Sequence, residues 1–136
     1  MTFKDISQIA GSAMAAQTVR LNTIASNLAN ADSVAGSEAD AYRARKPVFA
    51  AVMTGEDGAS SRVQVLDVVE SSEPLRKVYE PGHPMANAEG MVFYPNVNQV
   101  AEMTDMMSAS RAFETNVEVL GRIKSMQQSL LKLGEG

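Results

Sequence analysis

Residues able to carry out catalysis are scarce in this sequence, and their spacing does not form a recognisable site. The 136 residues contain no cysteine and one histidine, His83, between Gly82 and Pro84, which excludes thiolate nucleophiles, disulfides and sites rich in cysteine or histidine. A serine, His83 and an aspartate are available for a triad, but the sequence has neither a G-x-S-x-G elbow nor a glycine-rich phosphate loop. The carboxylates are scattered, without a motif that would pair them for acid–base chemistry. We therefore expect no enzyme activity, no catalytic residues, no metal site and no bound cofactor.

The charge balance and the composition limit the classes of partner. The chain has 12 basic and 16 acidic residues, for a net charge of −4, whereas nucleic-acid binding needs a basic face. A hydrophobic fraction of 45% with 21% charged residues is typical of a folded protein of one small domain. The longest apolar run, 48–53, is too short to cross a bilayer. Residues 9–16 faintly resemble a signal peptide but also fit an amphipathic helix, so we expect no cleaved signal, no nucleic-acid ligand and no membrane insertion.

The distribution of proline divides the chain into two helical ends and a different middle. All five prolines lie between residues 47 and 95. Outside that region, apolar residues recur in steps of three and four, which predicts helices over 5–31 and 98–133. These helices would be about 40 and 54 Å long, which is too long for a compact domain of this size. Their weakly apolar stripes must therefore be buried against each other, against neighbouring molecules, or both.

The middle of the chain is predicted to form short strands and turns. Alternating and β-branched residues indicate four strands, over 42–53, 62–70, 75–79 and 90–94. A turn or flexible loop is predicted at 54–61, and 80–90, dense in proline, glycine and asparagine, should be an ordered turn. We expect an α+β fold, in which the N-terminal helix of 1–33 pairs as a coiled coil with the C-terminal helix of 96–136, around a small β-rich central region at 34–95.

Asparagine and basic residues mark other positions of interest. Asn96 and Asn98 follow Pro95 and are candidate N-caps of the C-terminal helix. The uncharged polar face of 22–30 is either a cap and turn region or an interface buried by other chains. We favour the interface, because a solvated helix face normally carries more lysine and glutamate. The basic cluster 43–46 is interpreted as a solvated strand edge or as a contact for an acidic protein surface.

Two segments of the sequence resemble known proteins. LNTIASNLANADS (21–33) resembles the N-terminal motif of the bacterial flagellar axial proteins, which include rod, hook and hook-associated proteins. Residues 79–120 carry the strings PGHP, AEG and YPNVN, followed by a helix of the pattern EM…M…A-R…E-x-N. This second segment resembles the proximal rod proteins of that family more narrowly. The resemblance covers most of 3–33 and 75–134.

The resemblance implies a structural function in the bacterial flagellum. Proteins of this kind are exported through the flagellar type III apparatus without a cleaved signal peptide and assemble in the periplasm, in the rod of the basal body. They form a helical tube that surrounds the export channel and transmits torque. The partners it implies are copies of the chain, other rod proteins, the membrane-ring and export-gate adaptor proteins, and the export apparatus.

The resemblance also assigns roles to individual residues. The residues expected in the helical assembly interface are Leu21, Ile24, Asn27, Leu28, Asn30, Met103, Met106, Phe113, Val117 and Leu120. The residues expected to set the sharp turn before the C-terminal helix are Tyr79, Pro81, Gly82, His83, Pro84, Gly90, Pro95, Asn96 and Asn98. Asn27 and Asn30 are expected to end the first helix or to cross-link it.

Two alternatives to a rod protein belong to other functional classes. One is a coiled-coil adaptor or chaperone-like module that acts on a soluble partner in the cytoplasm, and the other is a small enzyme. The adaptor hypothesis predicts a folded dimer with long, protease-resistant helices. The rod hypothesis predicts a largely monomeric, protease-sensitive protein whose ends become helical only in the polymer.

Overall fold

The computed structural model describes residues 2–55, 58 and 60–135. Its elements follow the predicted order. They are α1 (Phe3–Ala29), β1 (Arg45–Thr54), β2 (Ser60–Glu70), β3 (Arg76–Tyr79), β4 (Met91–Tyr94) and α2 (Gln99–Glu135). The strands form two separate antiparallel sheets of two strands, β1 with β2 and β3 with β4. The α+β class is confirmed, and Glu56, Asp57 and Ala59 of the predicted turn at 54–61 lie outside the described residues.

Local side-chain chemistry fixes both ends of α1. At its start, the Thr2 hydroxyl accepts the backbone N–H of Asp5 at 3.2 Å, and the Asp5 carboxylate accepts the backbone N–H of Thr2 at 2.8 Å. This reciprocal capping box satisfies N–H groups that have no partner within the helix. At its end, Asn30 is the C-cap, and its side-chain amide donates to the Ser26 carbonyl at 2.8 Å. Asn30 therefore ends the first helix.

Acid should loosen the first turn of α1. The backbone N–H of Thr2, donating to the carboxylate, lowers the pKa of Asp5 below its ordinary value of 3.8. The stability that this cap contributes is therefore complete above pH 3.8 and is lost as the pH falls through the lower folded-state pKa. We expect amide protection factors at Asp5 and Ile6 to fall between about pH 5 and about pH 2, while Asp5→Asn shows reduced protection already at neutral pH. Equal loss of protection at Thr23, near the other end of α1, would contradict a local effect.

The two helices pack along each other in antiparallel orientation. Arg20 of α1 pairs with Asp105 of α2 at 2.7 Å, and Gln99 at the start of α2 lies 3.4 Å from Asp32, just after α1. At the opposite end, Phe3 lies beside Leu131. With 37 residues against 27, α2 is about 15 Å longer than α1, and its start lies beside Asp32, three residues past the end of α1. The buried apolar residues of the pair are mostly small: Ala10, Ala16, Ile24, Ala109 and Ile123.

The β1–β2 ribbon lies across α1. The Ser12 hydroxyl of α1 accepts the backbone N–H of Val63 in β2 at 3.1 Å. The register places Val48 opposite Asp67 but Phe49 opposite Val65, so the intervening Leu66 has no partner and forms a bulge that bends the ribbon. Leu66 is 60% exposed.

The β3–β4 hairpin supplies a second, smaller core. Val92 is fully buried and Phe93 is 8% exposed. The segment after α1 adds to the edge of β4, because Ala35 and Phe93 exchange backbone hydrogen bonds of 3.0 and 2.8 Å. Neither described helix combines the length and apolarity needed to cross a membrane.

Candidate assembly interface

The structure places the ten predicted interface residues at three depths. Ile24 and Asn27 are buried inside the chain, at 3% and 1% exposure. Met103 and Val117 lie exposed on α2, at 56% and 46%. The others are partly exposed: Leu21, Leu28, Asn30, Met106, Phe113 and Leu120. The set therefore combines residues buried within the chain with residues that face outward.

The buried Asn27 joins α1 to the first residue of β1. Its Oδ1 accepts the Tyr42 hydroxyl at 2.8 Å and the backbone N–H of Arg45 at 2.9 Å, and its Nδ2 donates to the Arg45 carbonyl at 2.9 Å. The side-chain amide thus replaces a neighbouring strand at Arg45. The Tyr42 hydroxyl also lies 3.0 Å from the Ser26 hydroxyl. Asn27 cross-links α1 to the base of the ribbon.

Asn96 makes the corresponding contact from the C-terminal side of the chain. Its Oδ1 accepts the backbone N–H of Ala44 at 2.7 Å, and its Nδ2 donates to the Glu73 carbonyl at 2.9 Å. The Asn96 Nδ2 also lies 3.4 Å from the Ser71 carbonyl, so the Asn96 amide takes the place of a ladder bond from the Ala44 N–H to Ser71. For this reason β1 begins at Arg45 and not at residue 42 as predicted. The two asparagines, one from each resembling segment, bind the adjacent residues Ala44 and Arg45. Together they join α1 and the segment before α2 to the start of the ribbon.

Of the two predicted caps of α2, only one serves as a cap. The Asn98 Oδ1 accepts the backbone N–H of Ala101 at 3.2 Å, so Asn98 is the N-cap. The prediction was wrong for Asn96, because its amide is bound to Ala44 and Glu73. The 80–90 loop joins β3 to β4, as the strand pattern predicted. It therefore does not lead directly into α2, as the resemblance implied.

The 80–90 loop is ordered by its own hydrogen bonds. Glu80 donates its backbone N–H to the Gly90 carbonyl, and Gly90 donates to the Asn87 carbonyl, both at 2.9 Å. The His83 Nδ1 accepts the backbone N–H of Met85 at 3.0 Å, so the single histidine stabilises a turn. The remaining predicted turn residues flank or line this loop: Tyr79 ends β3, Pro81, Gly82 and Pro84 are exposed, and Pro95 is buried just after β4.

Gly90 has both the conformation and the surroundings that require glycine. Its φ of +78° lies in the left-handed region, which other residues rarely adopt. A Cβ at this position would lie 2.8 Å from the Tyr79 ring and 3.1 Å from the Pro81 Cβ. A side chain at Gly90 would therefore disrupt the hairpin.

One interaction between the hairpin strands and this loop is not evident from the sequence. The Tyr94 hydroxyl donates to the Glu80 carboxylate at 2.9 Å, and the Arg76 guanidinium lies 4.3 Å from the centre of the Tyr94 ring. The hydrogen bond to Glu80 raises the pKa of Tyr94 above its ordinary value. In the sequence, Glu80 and Tyr94 are marked only by their position within 79–120, the second segment that resembles rod proteins.

The outward face of α1 is uncharged along most of its length. Every exposed residue after Lys4 falls on one stripe with steps of three and four: Gln8, Gly11, Ala15, Thr18, Asn22, Ala25 and Ala29. Only Lys4, Asp5 and Arg20 are charged among the 27 residues of this helix. Solvated helix faces normally carry many charged side chains.

Exposed apolar side chains mark both ends of α2. Val100, Met103 and Met107 are 75%, 56% and 60% exposed and lie one helical turn apart near its start. Leu131 and Leu133, at 68% and 78%, lie near its end. Patches of this kind on a small protein mark contact surfaces.

Metal-ligating side chains and surface depressions are the remaining features of the described residues. Among them, no group of three or more histidine, aspartate and glutamate side chains could hold a metal ion. The depression beside the hairpin, about 600 Å³ and lined in part by Glu38, Lys77 and Phe93, is wide open to solvent. The features that suggest a function are instead the contacts of Asn27 and Asn96, the uncharged outward stripe of α1 and the exposed apolar side chains at the two ends of α2.

Two family models match the chain. The model described as "Flagella basal body rod protein" matches residues 8–36. The model described as "Flagellar basal body rod FlgEFG protein C-terminal" matches residues 88–133. These ranges contain most of α1 and α2.

Relatives extend the similarity to the full chain. The flagellar basal-body rod protein FlgC of Escherichia coli O157:H7 is 51% identical over 135 residues, which cover 99% of this chain and 100% of the relative. FlgC of Salmonella typhimurium strain LT2 is 50% identical over 135 residues, with the same coverage. FlgC of Bacillus subtilis strain 168 is 34% identical over 143 residues, covering 93% of this chain and 95% of the relative. The chain therefore belongs to the FlgC family of flagellar basal-body rod proteins.

Proposed function

We propose that this structural subunit of the flagellar rod polymerises into a helical tube through the outer faces of its helix pair. The helices line the tube around the export channel, and the β-rich central region packs outside them. The tube transmits torque through many small contacts, and the chain performs no catalysis. Its partners are copies of itself, other rod proteins, the membrane-ring and export-gate adaptor proteins, and, during export, the flagellar export apparatus.

The uncharged outer stripe of α1 carries this proposal. Seven exposed positions along the helix, from Gln8 to Ala29, lack any charge. Small side chains such as Gly11 and Ala15 let another helix approach closely. A stripe that is exposed in one chain but has the composition of a packed surface is suited to burial by neighbouring subunits.

The weak seam between α1 and α2 supports the same proposal. The apolar residues that the two helices bury are mostly alanines, such as Ala16 at 2% and Ala109 at 0% exposure. Burial stabilises by about 25 cal/mol per Å² of apolar surface, so alanine contributes little. Helices of 27 and 37 residues held by such a seam gain stability from additional neighbours.

We further propose that the chain reaches the periplasm by flagellar export with residues 9–16 retained. This segment, which faintly resembles a signal peptide, lies within α1. Its Ala10 and Ala16 are buried, at 5% and 2% exposure. Cleavage there would remove part of the seam with α2.

Limited proteolysis with circular dichroism tests this function. The isolated chain should be monomeric and should be cut first near the N-terminus of α1 and near the C-terminus of α2. The same sites should be protected in purified basal bodies, where burial by neighbours prevents the local unfolding that cleavage requires. A cooperatively melting dimer with protease-resistant helices, absent from basal bodies, would contradict the rod hypothesis and favour the coiled-coil adaptor.

A further inference from the structure

The outer edge of β1, the side that faces away from β2, presents backbone groups without a partner in the described residues. The Arg45 N–H points to this edge, where it donates to the Asn27 side chain at 2.9 Å. Backbone direction alternates along a strand, so the register with β2 directs the N–H groups of Phe49, Ala51 and Met53 to the same edge. Among the helices and strands, only β2 and α1 pack against β1, and these three N–H groups make no hydrogen bond within the described residues.

The other strand edges in the described part of the chain are protected. On the outer edge of β2, the Val63 N–H donates to the Ser12 hydroxyl of α1 at 3.1 Å. Further along that edge the Val68 N–H donates to the Asp67 carboxylate at 2.7 Å, and the bulge interrupts the strand. The strand β3 has four residues and begins with two exposed basic side chains, while the segment after α1 covers the edge of β4. Natural sheets prevent unwanted pairing by such means, and the β1 edge has none of them beyond Pro47.

The unprotected edge is also apolar. Residues 48–53, with the sequence VFAAVM, form the longest apolar run of the chain. Val48, Phe49 and Met53 are 39%, 38% and 72% exposed. An exposed, uncharged strand with a free edge is a template for pairing with another strand. The edge of β1 therefore has the composition of a strand inside a sheet, although it lies at the border of one.

We propose that the outer edge of β1 binds an extended segment of a different rod protein, which adds to the ribbon as a third strand. The alternating N–H and C=O groups of such an edge are matched by the backbone of another extended segment. A second copy of this chain fits less well, because the comparable edge that it offers is β1 itself. Pairing of β1 with β1 is two-fold and closed, whereas a tube needs contacts that repeat in one direction. This inference rests on the proposed assembly and specifies one of its contacts.

The side chains of β1 define the chemistry of the incoming strand. No charged residue lies between Pro47 and Thr54, so the residues that pair with this stretch should be uncharged and mostly apolar. Lys46, at the start of the edge, is exposed and makes no ion pair within the described residues. An acidic side chain opposite Lys46 would form a cross-strand ion pair. The expected partner segment therefore has about six uncharged residues with an acidic residue at one end.

Ala51→Pro tests the edge, because it removes the central N–H and places a ring where the partner strand would lie. The ladder with β2 does not use this N–H, and Pro47 already occupies an equivalent position on the same strand. The isolated variant should therefore keep its circular dichroism spectrum and its urea midpoint. Its incorporation into purified basal bodies should fall by at least about tenfold, because the added strand loses hydrogen bonds at its centre. Ala51→Thr, which keeps the N–H, is the matched control and should be incorporated normally.

Photo-cross-linking identifies the partner and does not depend on tolerance for proline. Benzoylphenylalanine in place of Met53, which is 72% exposed at the same edge, should form an adduct with another rod protein in basal bodies. The same probe at Ser61, opposite Met53 on β2, is the control and should give much less of this adduct.

Three results would overturn the proposal. One is normal incorporation of a folded Ala51→Pro chain, and another is an equal loss with Ala51→Thr, which would indicate a side-chain contact. The third is a Met53 probe that gives no adduct in basal bodies or links only two copies of this chain, and this result decides the matter if Ala51→Pro does not fold. Absence of the unchanged chain from basal bodies would instead contradict the proposed function, and the inference with it.

Discussion

A single glutamate at Ala15, in the middle of the outer stripe of α1, should abolish incorporation into the rod while leaving the isolated chain folded. Ala15 is exposed, so the new side chain meets only water in the free chain, and the change in unfolding free energy should stay within about 0.5 kcal/mol. In the polymer every copy would bury an unpaired carboxylate against its neighbour, at a cost of several kcal/mol per contact. The measurements are urea unfolding of the purified chain, and motility with basal-body content in cells that lack the native subunit.

Thr115→Glu is the control for this substitution. Thr115 is also exposed on a long helix, but on a face of α2 that carries Arg111, Glu114 and Glu118. Another carboxylate there remains solvated, so motility should be nearly normal. If cells with Ala15→Glu were motile, or if both variants lost motility equally, the stripe of α1 would not be the assembly surface.

Features set by interactions between residues close in the sequence could be predicted here, and features set by contacts between distant residues could not. Periodicity and capping act over a few residues, and for that reason both helices were predicted to within two residues of their bounds, α1 at Phe3–Ala29 and α2 at Gln99–Glu135. The strands were predicted from alternation and also lie near their expected places. The start of β1 was missed because Asn96, 52 residues away, binds Ala44.

The role of Asn27 shows the same limit. Its resemblance to a family motif marks the residue, and its position near the end of α1 suggests a cap or a cross-link. Its partners, Tyr42 and Arg45, lie outside the two segments that carry the resemblance. Its bonds to the Arg45 backbone also place no requirement on the side chain at that position, so the sequence does not reveal the pairing. The burial of Glu102 in α2, which is 8% exposed, is equally invisible, because an acidic residue in the first turn of a helix is usually solvated.

The link at Asn27 should be the most sensitive polar position in the isolated chain. Asn27→Asp keeps the size of the side chain but removes the Nδ2 donor to the Arg45 carbonyl and places a negative charge at a site that is 1% exposed. The new carboxylate would keep only the two hydrogen bonds from the Tyr42 hydroxyl and the Arg45 N–H and would face the Arg45 carbonyl. Burying a charge that is only partly compensated should cost about 3–5 kcal/mol, a large part of the roughly 5–15 kcal/mol that stabilises a domain. We expect a lower urea midpoint and faster amide exchange at Arg45, measured on the purified chain.

Two variants separate burial of charge from loss of a hydrogen bond. Asn22→Asp, on the exposed face of the same helix, introduces the same charge and should cost no more than about 0.5 kcal/mol. Asn96→Asp removes the equivalent donor, to the Glu73 carbonyl, at a partly exposed site, and should cost about 1–2 kcal/mol. The order Asn27, Asn96, Asn22 is therefore the expected order of destabilisation. If Asn27→Asp proved as harmless as Asn22→Asp, the amide of Asn27 would not hold α1 to the ribbon, and the attachment would have to depend on apolar contacts and on the Ser12–Val63 hydrogen bond.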